Sequence, residues 1–392
     1  MPGAERPSAD VSGPDVSGAG LPGPVLPATS RPVVVVTGAL APYTQVLYRA
    51  LAAALDAPLT VLACAAREPA RQWQLAAADG YGFSVLPGLR WHRDAVRNLY
   101  VNPGVVLRLA ALRPAAVILN DFSPTMAMAA LAARALRIPY GIRTDGVPET
   151  DPGARSPAHR ALRRAIVPGA AFGLAPSEGS RTLLASYGLA PERVFRAPLF
   201  PAWEAAAALP DPETRPYDVL FCGILNEEVK GARFFTDVMR ACAAAGRPLR
   251  VRVAGDGPLR EEMAARLAEA GIAARFDGYL AQAALAEAHA SARLLLFPSR
   301  GDVWGIVVNE ALQSGTAVLA SPHSGAAREW LAARGCGVVR PLAVEDWAHE
   351  TLALLDDPGR RARLREAAAR TMPDFSLARA VEGYRAALAS LR

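Results

Sequence analysis

Short runs of consecutive apolar residues recur along the chain, and segments with helical spacing separate them. Such runs are typical of strands buried on both faces of a parallel sheet, because half-exposed strands alternate apolar and polar residues instead. The predicted strands are Pro32–Thr37, Leu59–Ala63, Ala115–Leu119, Tyr140–Thr144, Phe172–Ala175 and Val194–Pro198, then Tyr217–Cys222, Leu249–Ala254, Arg275–Tyr279, Arg293–Pro298, Ala317–Ala320 and Gly335–Val339. Strands that alternate with helices predict an α/β fold.

The boundaries between these elements predict two domains, as expected for 392 residues. Residues 1–31 are rich in Pro, Gly, Ser and Ala and are predicted to be a disordered tail. Residues 32–200 form the first domain, 201–216 a linker, and 217–375 the second domain. The last segment, 376–392, is an amphipathic helix that either crosses back to the first domain or packs on its own.

The stretch from Phe297 to Ala320 combines strand, loop, helix and strand. Asp302 and Glu310 lie eight residues apart, so they share one side of the helix if it begins near Val303. Glu310 lies among apolar residues, and its carboxylate needs donors such as the two hydroxyls of a ribose. Free amides from Val303 to Ile306 suit a diphosphate. The alternative is that Asp302 is an N-cap and Glu310 a surface residue.

Further candidate residues follow the ends of other predicted strands, where parallel sheets bind ligands. In the first half these are Asp121 and Asp145, which alternatively cap the helices and turns that follow. In the second half a G-D-G-P turn, containing Gly255 and Gly257, follows one strand.

The segment D-V-W-G-I-V-V-N-E-A-L-Q-S-G-T-A-V-L-A-S resembles the signature of family 4 retaining glycosyltransferases. That resemblance implies the GT-B fold, in which two Rossmann-like domains face each other across a cleft. It implies that Glu310 binds the nucleotide ribose, that Asp302 faces the donor sugar, and that Lys230 grips the donor diphosphate. Asp302 stands where the family usually has Glu, and Ile224 stands where an arginine is usual.

The residues implied in donor binding and catalysis fall mainly in the second half. The donor-binding set is Gly38, Gly223, Lys230, Gly255, Gly257, Gly278, Tyr279, Trp304, Gly305, Ile306 and Glu310. The catalytic candidates are Asp302, Asp121 and Asp145.

Composition adds a modest positive charge, +6, which comes mainly from arginine. It fits an anionic substrate or an acidic membrane surface, and we expect no nucleic-acid partner. The basic segment 155–164 contains Arg160, Arg163 and Arg164, which with Leu162 and Ile166 form either a face for anionic lipid headgroups or a solvated helix face. The four scattered cysteines, and the lack of a secretion signal or a membrane-spanning run, predict a cytoplasmic protein, peripheral at the inner membrane face if that helix binds lipid.

These features together predict a retaining glycosyltransferase that uses a nucleotide-diphospho-sugar and an acceptor hydroxyl on a glycan, a lipid-linked carrier or a small molecule. No two aspartates stand two residues apart, so the D-x-D metal motif of the other glycosyltransferase fold is missing. We therefore predict no cofactor and no metal requirement. A non-catalytic sugar-nucleotide-binding protein and a sugar-nucleotide epimerase are the alternatives.

Overall fold

The structure, a computed structural model, describes residues 30–67, 77–92, 98–204, 206 and 209–391. This part of the chain forms two α/β domains, each built on a parallel sheet. The predicted tail, 1–31, lies outside the described residues except for its last two. None of the helices in the described ranges has the length and apolar character needed to cross a membrane.

The first domain contains a parallel sheet of seven strands within the described residues, in the order β3-β2-β1-β6-β7-β8-β9. Strand β1, Val33–Thr37, is buried along its whole length, as its run of valines requires. A separate antiparallel hairpin pairs β4 with β5. The strands are β1 Val33–Thr37, β2 Leu59–Ala63, β3 Gly82–Val85, β4 Leu89–His92, β5 Asn98–Val101, β6 Ala116–Asn120, β7 Tyr140–Arg143, β8 Phe172–Ala175 and β9 Val194–Arg196. The helices are α1 Pro42–Ala54, α2 Val105–Leu112, α3 Pro124–Ala135, α4 Pro157–Ile166 and α5 Glu178–Ser186.

The second domain contains a six-stranded parallel sheet among its described residues, in the order β12-β11-β10-β13-β14-β15. The strands are β10 Tyr217–Cys222, β11 Val251–Ala254, β12 Ala274–Gly278, β13 Ala292–Phe297, β14 Ala317–Ala320 and β15 Val338–Val339. The helices are α6 Ala232–Ala244, α7 Arg260–Glu269, α8 Gln282–Ala290, α9 Ile306–Gln313, α10 Val344–Asp356, α11 Pro358–Thr371 and α12 Leu377–Ala389. A π-helical segment, Ala326–Ala332, follows β14.

The last helix, α12, packs on the first domain, although it follows the second domain in sequence. It contacts α1, β8 and β9. Tyr384 and Ala380 belong to the same buried cluster as residues of β1 and α1. The helix approaches β9 closely at Gly383, where a Cβ would lie 1.9 Å from the carbonyl oxygen of Arg196. Only glycine permits that distance.

Two further contacts join the domains near the linker. The Glu329 carboxylate, on the π-helical segment, accepts hydrogen bonds from the amides of Glu178 at 2.8 Å and Gly179 at 3.0 Å. These are the first amides of α5, whose positive end favours a negative charge. In addition, the side-chain amide of Asn309 donates to the carbonyl oxygen of Leu199 at 2.9 Å. The edges that carry the candidate residues therefore face each other.

The predicted basic face of residues 155–164 is wrong in its orientation. Arg163 is 5% exposed and pairs with the buried Asp151 at 2.8 Å. Ile166 is also buried, because it packs in the core of the first domain. The three arginines therefore do not share one solvent face, and only Arg164 is exposed among them.

We predict that Gly383→Ala lowers the free energy of unfolding, even though alanine is the better helix former. The added methyl group forces α12 away from β9, and overpacking of this kind costs about 1–3 kcal/mol. Gly359→Ala in α11 is the matched control, because its nearest neighbours are side-chain atoms at 3.3 Å and beyond. Urea denaturation of both variants tests this. Equal stabilities for the two variants would show that α12 does not need the close approach.

Candidate active site

The loop between β13 and α9 carries Asp302, and it is held by the next loop of the sheet. The Asp302 amide donates to the carbonyl oxygen of His323 at 3.1 Å, and Asp302 forms an isolated bridge with Ser324. The helix begins at Ile306. The predicted start near Val303 is therefore wrong. The N-cap of the helix is Gly305, so the alternative interpretation of Asp302 as an N-cap is wrong.

Gly305 is required at this helix start for a conformational and a steric reason. Its φ of 91° lies in the left-handed region that disfavours other residues. A Cβ there would also lie 2.7 Å from the ring of Phe297. The next residue, Ile306, is half-buried in the first turn of α9. The loop is thereby kept close to the end of β13.

Lys230 reaches Asp302 from the loop that follows β10. The Lys230 ammonium and the Asp302 carboxylate form an ion pair, and their side chains are 19% and 20% exposed. The Asn226 side-chain oxygen accepts from the Lys230 amide at 3.1 Å and fixes the loop. The structure thus brings together the lysine and the acid that were predicted to meet the diphosphate and the sugar.

Glu310 points from α9 into a buried polar cluster. It is 8% exposed, and one of its carboxylate oxygens lies 3.5 Å from Nε2 of the fully buried His289. Cys222, at the end of β10, completes the cluster. Burial, together with the charge of Glu310, raises the pKa of the Cys222 thiol, and Lys230 opposes that shift.

Three glycines allow the ends of β10 and β11 to approach each other. Gly223, Gly255 and Gly257 have φ values of 145°, 140° and 159°. A Cβ on Gly255 would lie 1.9 Å from the carbonyl oxygen of Gly223, and one on Gly257 would lie 2.7 Å from the amide nitrogen of Leu225. The backbones of these loops are therefore in direct contact.

The end of β12 joins the same edge. The Gly255 amide donates to the carbonyl oxygen of Gly278 at 2.8 Å, and Gly278 has a φ of 70°. Tyr279 follows directly and is 39% exposed. The predicted donor-binding glycines of the second domain thus lie along one continuous edge of the sheet.

The remaining predicted donor-binding residues are placed differently. The Trp304 side chain is buried and packs inward, since its indole nitrogen donates to Asn309 at 2.8 Å and its ring stacks on Phe375. Gly38 follows β1 in the first domain, and a Cβ there would lie 3.0 Å from the ring of Tyr100. Trp304 therefore shapes the loop from inside.

The two arginines nearest to the expected diphosphate are already paired. Arg233 binds the Glu262 carboxylate at 2.7 Å, and Arg300 binds Glu227 at 2.6 Å. Neither guanidinium replaces the arginine that is missing at Ile224. Lys230 is the cation that lies beside Asp302.

The first domain contributes a second polar cluster, at the ends of β6 and β7. Asp121 adopts a left-handed backbone conformation with φ 63°, and its carboxylate accepts from the Thr144 hydroxyl at 2.9 Å. Ser123, not Asp121, is the N-cap of α3, so the capping alternative for Asp121 is wrong. Left-handed non-glycine residues cluster at functional sites, which supports a role for Asp121 in the cleft.

The charge of Asp121 is strongly perturbed. The residue as a whole is exposed, but its carboxylate turns toward Thr144 and the protein. Burial of the carboxyl group, and then the nearby charge of Asp145, raise its pKa to about 6, while Arg143 opposes the shift. For the buried Arg143, burial is the largest influence and disfavours the charge, but Asp145, Tyr43, Tyr384 and Asp121 together keep its pKa above the usual value. A carboxyl group that titrates near pH 6 suits proton transfer.

One group of potential metal ligands occurs among the described residues. The ligand atoms of Cys222, His289 and Glu310 all lie within 4.8 Å of one another. His289 was missed in the sequence, because nothing in its surroundings marks it as a site residue. Only the packing of α8 against α9 brings it to Glu310.

Two facing parallel-sheet domains, with candidate residues at the strand ends, define a GT-B protein. Family profiles described as "Glycosyl transferase 4-like domain" and "Glycosyl transferases group 1" match residues 38–199 and 216–357. The chain belongs to this family of group 1 glycosyl transferases.

One curated relative is similar in sequence, and solved structures are similar in fold. The chain is 32% identical to the 2-deoxystreptamine glucosyltransferase of Streptomyces kanamyceticus over 140 residues, which cover 35% of this chain and 36% of that protein. The alignment therefore spans about a third of that relative. The crystal structure of Anabaena Alr3699/HepE in complex with UDP-glucose has a TM-score of 0.68 at 16% identity, covering 91% and 99% of the two chains. A putative UDP-N-acetylglucosamine 2-epimerase from Listeria monocytogenes has a TM-score of 0.64 at 14% identity, covering 93% and 97%.

We predict that Asp145→Asn lowers the pKa of Asp121, because it removes a neighbouring negative charge. Carboxyl-carbon NMR titration of aspartate-labelled protein measures the shift. Asp346→Asn, at an exposed position in the first turn of α10, is the control and should leave the titration unchanged. An unaltered Asp121 titration in Asp145→Asn would mean that the two carboxylates do not interact.

Proposed function

We propose that the protein is a retaining glycosyltransferase that moves a sugar from a nucleotide-diphospho-sugar to an acceptor hydroxyl. The observation that carries the proposal is the meeting of Lys230 and Asp302 beside the buried Glu310, at the cleft edge of the second domain. Family membership and the glucosyltransferase relative support transfer as the activity.

Donor binding follows from the charges at this edge. Glu310 accepts hydrogen bonds from the two ribose hydroxyls, which satisfy a carboxylate that few protein donors reach. Lys230 and the first amides of α9 neutralise the diphosphate. Lys230 is paired with Asp302, so the incoming phosphates share or take over this lysine. Asp302 is then left facing the sugar.

The chemical step has oxocarbenium character at the anomeric carbon. As the C1–O bond breaks, negative charge grows on the diphosphate, and Lys230 stabilises it there. The acceptor hydroxyl enters on the same face, and its proton goes to the departing phosphate or to Asp121, whose pKa of about 6 suits a base. Closure of the two domains around the donor excludes water, which would otherwise hydrolyse it.

The acceptor side is assigned only by class. The relative named as a 2-deoxystreptamine glucosyltransferase supports a small-molecule acceptor. Contact with a membrane through α4 and the turn before it would rest on Arg164 and Arg155, since Arg163 is buried. Transfer requires no divalent metal, because Lys230 and the helix amides neutralise the diphosphate.

The second candidate is a non-catalytic sugar-nucleotide-binding protein. Ile224 in place of an arginine favours it, because this reduces the positive charge available to a leaving diphosphate. Slow release of nucleotide from UDP-, GDP- and ADP-sugars distinguishes it from a transferase. Isomerisation of the sugar without nucleotide release would instead identify an epimerase.

We predict that Glu310→Gln abolishes donor binding, because the amide replaces one strong acceptor oxygen with a donor. Isothermal titration with each nucleotide, followed by the release assay in excess chelator, measures the loss. Glu345→Gln, an exposed acid on α10, is the control. Donor affinity that survives in Glu310→Gln would remove Glu310 from the site, and activity lost only under chelation would refute metal independence.

We also predict that Lys230→Met slows nucleotide release by about 10²–10³-fold, with a smaller effect on donor affinity, because the charge acts mainly on the leaving group. Arg247→Met, which breaks a surface ion pair with Asp356, should have no effect. Single-turnover release separates the two contributions. A loss of donor affinity with an unchanged rate of nucleotide release would show that Lys230 binds the donor without assisting departure of the diphosphate.

A further inference from the structure

The cluster of Cys222, His289 and Glu310 contains an unusual group. His289 is fully buried, yet neither ring nitrogen has a hydrogen-bond partner within the described part of the chain. Its Nε2 lies 3.5 Å from the Glu310 carboxylate, too far for a good hydrogen bond. An unsatisfied buried polar group costs about 1–3 kcal/mol. Such a group requires an explanation.

The three side chains together offer the ligand set of a transition metal. A thiolate, an imidazole and a carboxylate are the ligands that zinc takes in proteins, at about 2.0–2.3 Å from the metal. Ligands on such a tetrahedron lie roughly 3.5 Å apart, which is the separation of His289 and Glu310. The ligand atoms of the three residues all lie within 4.8 Å of one another, so a small movement of the Cys222 side chain completes the coordination geometry.

We propose that Cys222, His289 and Glu310 form a three-ligand zinc site at the base of the donor pocket. The metal takes Sγ of Cys222, Nε2 of His289 and one Glu310 oxygen, and the fourth position faces the cleft. Binding releases the thiol proton to solvent, since a metal ligates the thiolate. Access is from the cleft, because Cys222 is partly exposed while His289 is enclosed.

Occupancy of this site has a consequence for the donor. Glu310 cannot serve both zinc and a ribose with the same oxygens, so the ion and the nucleotide exclude each other. Zinc is thus an inhibitor of the enzyme, not its cofactor, and this agrees with metal-independent transfer. This exclusion rests on the proposed function, whereas the binding of zinc itself does not.

The test uses full-length, tag-free, reduced protein. Zinc affinity is measured by competition with a chromophoric chelator, and Co²⁺ is added separately to read the thiolate-to-metal charge-transfer absorption. The variants are Cys222→Ala and His289→Asn. Cys336→Ala, which removes a buried thiol elsewhere in the domain, is the matched control. Circular dichroism checks folding, and if His289→Asn does not fold, Cys222→Ala decides.

We expect one zinc ion per chain, an affinity at least about tenfold weaker in Cys222→Ala, and an unchanged affinity in Cys336→Ala. The cobalt charge-transfer absorption should disappear in Cys222→Ala and remain in Cys336→Ala. Equal zinc affinity in wild type and Cys222→Ala overturns the site. Loss in His289→Asn but not in Cys222→Ala also overturns it, and instead makes His289 a residue that positions Glu310.

A separate arm measures the exclusion. Zinc should weaken UDP binding in the wild type and not in Cys222→Ala. If no nucleotide binds to any variant, the proposed function fails, while the direct zinc measurements still decide the site. Nucleotide and zinc that bind together without interference would refute the shared use of Glu310.

Discussion

The ion pair between Lys230 and Asp302 is the contact on which the candidate site depends. It joins the loop after β10 to the loop after β13, two segments separated by 72 residues. Both side chains are about four-fifths buried, so removing one partner would leave the other charge poorly solvated. In the proposed mechanism, a diphosphate between them would relieve this, because it would give the lysine a stronger anion and leave the carboxylate free to face a developing positive charge.

That ion pair requires the strand ends to lie close together, and glycines make this possible. The backbone of Gly255 touches that of Gly223, and Gly278 accepts a hydrogen bond from Gly255. Side chains at these positions would separate β10, β11 and β12 at the edge where the donor is proposed to bind. The cost in chain entropy that glycine brings is offset by this direct backbone contact.

The sequence predicted the sheets well, because buried parallel strands such as β1 and β14 are short continuous apolar runs. It did not predict β3, the β4–β5 hairpin or α2, since those segments mix exposed apolar and polar residues without a clear period. The start of α9 was misplaced because Asp302 pairs with the distant Ser324, a tertiary contact that local spacing cannot reveal. For the same reason His289 was invisible: its partner, Glu310, lies on another helix.

The two halves of the site differ in how they are fixed. In the second domain, backbone contacts between glycines hold the predicted residues in place, so the motif carries most of the geometry. In the first domain, the Asp121 carboxylate accepts a hydrogen bond from Thr144 and is influenced by the charges of Asp145 and Arg143. Tyr384 of α12 forms a hydrogen bond with Arg143. Since α12 follows the second domain in sequence, the electrostatics of the first domain depend on the far end of the chain. Tyr384 helps to keep the pKa of Arg143 above its usual value, and Arg143 in turn opposes the raised pKa of Asp121.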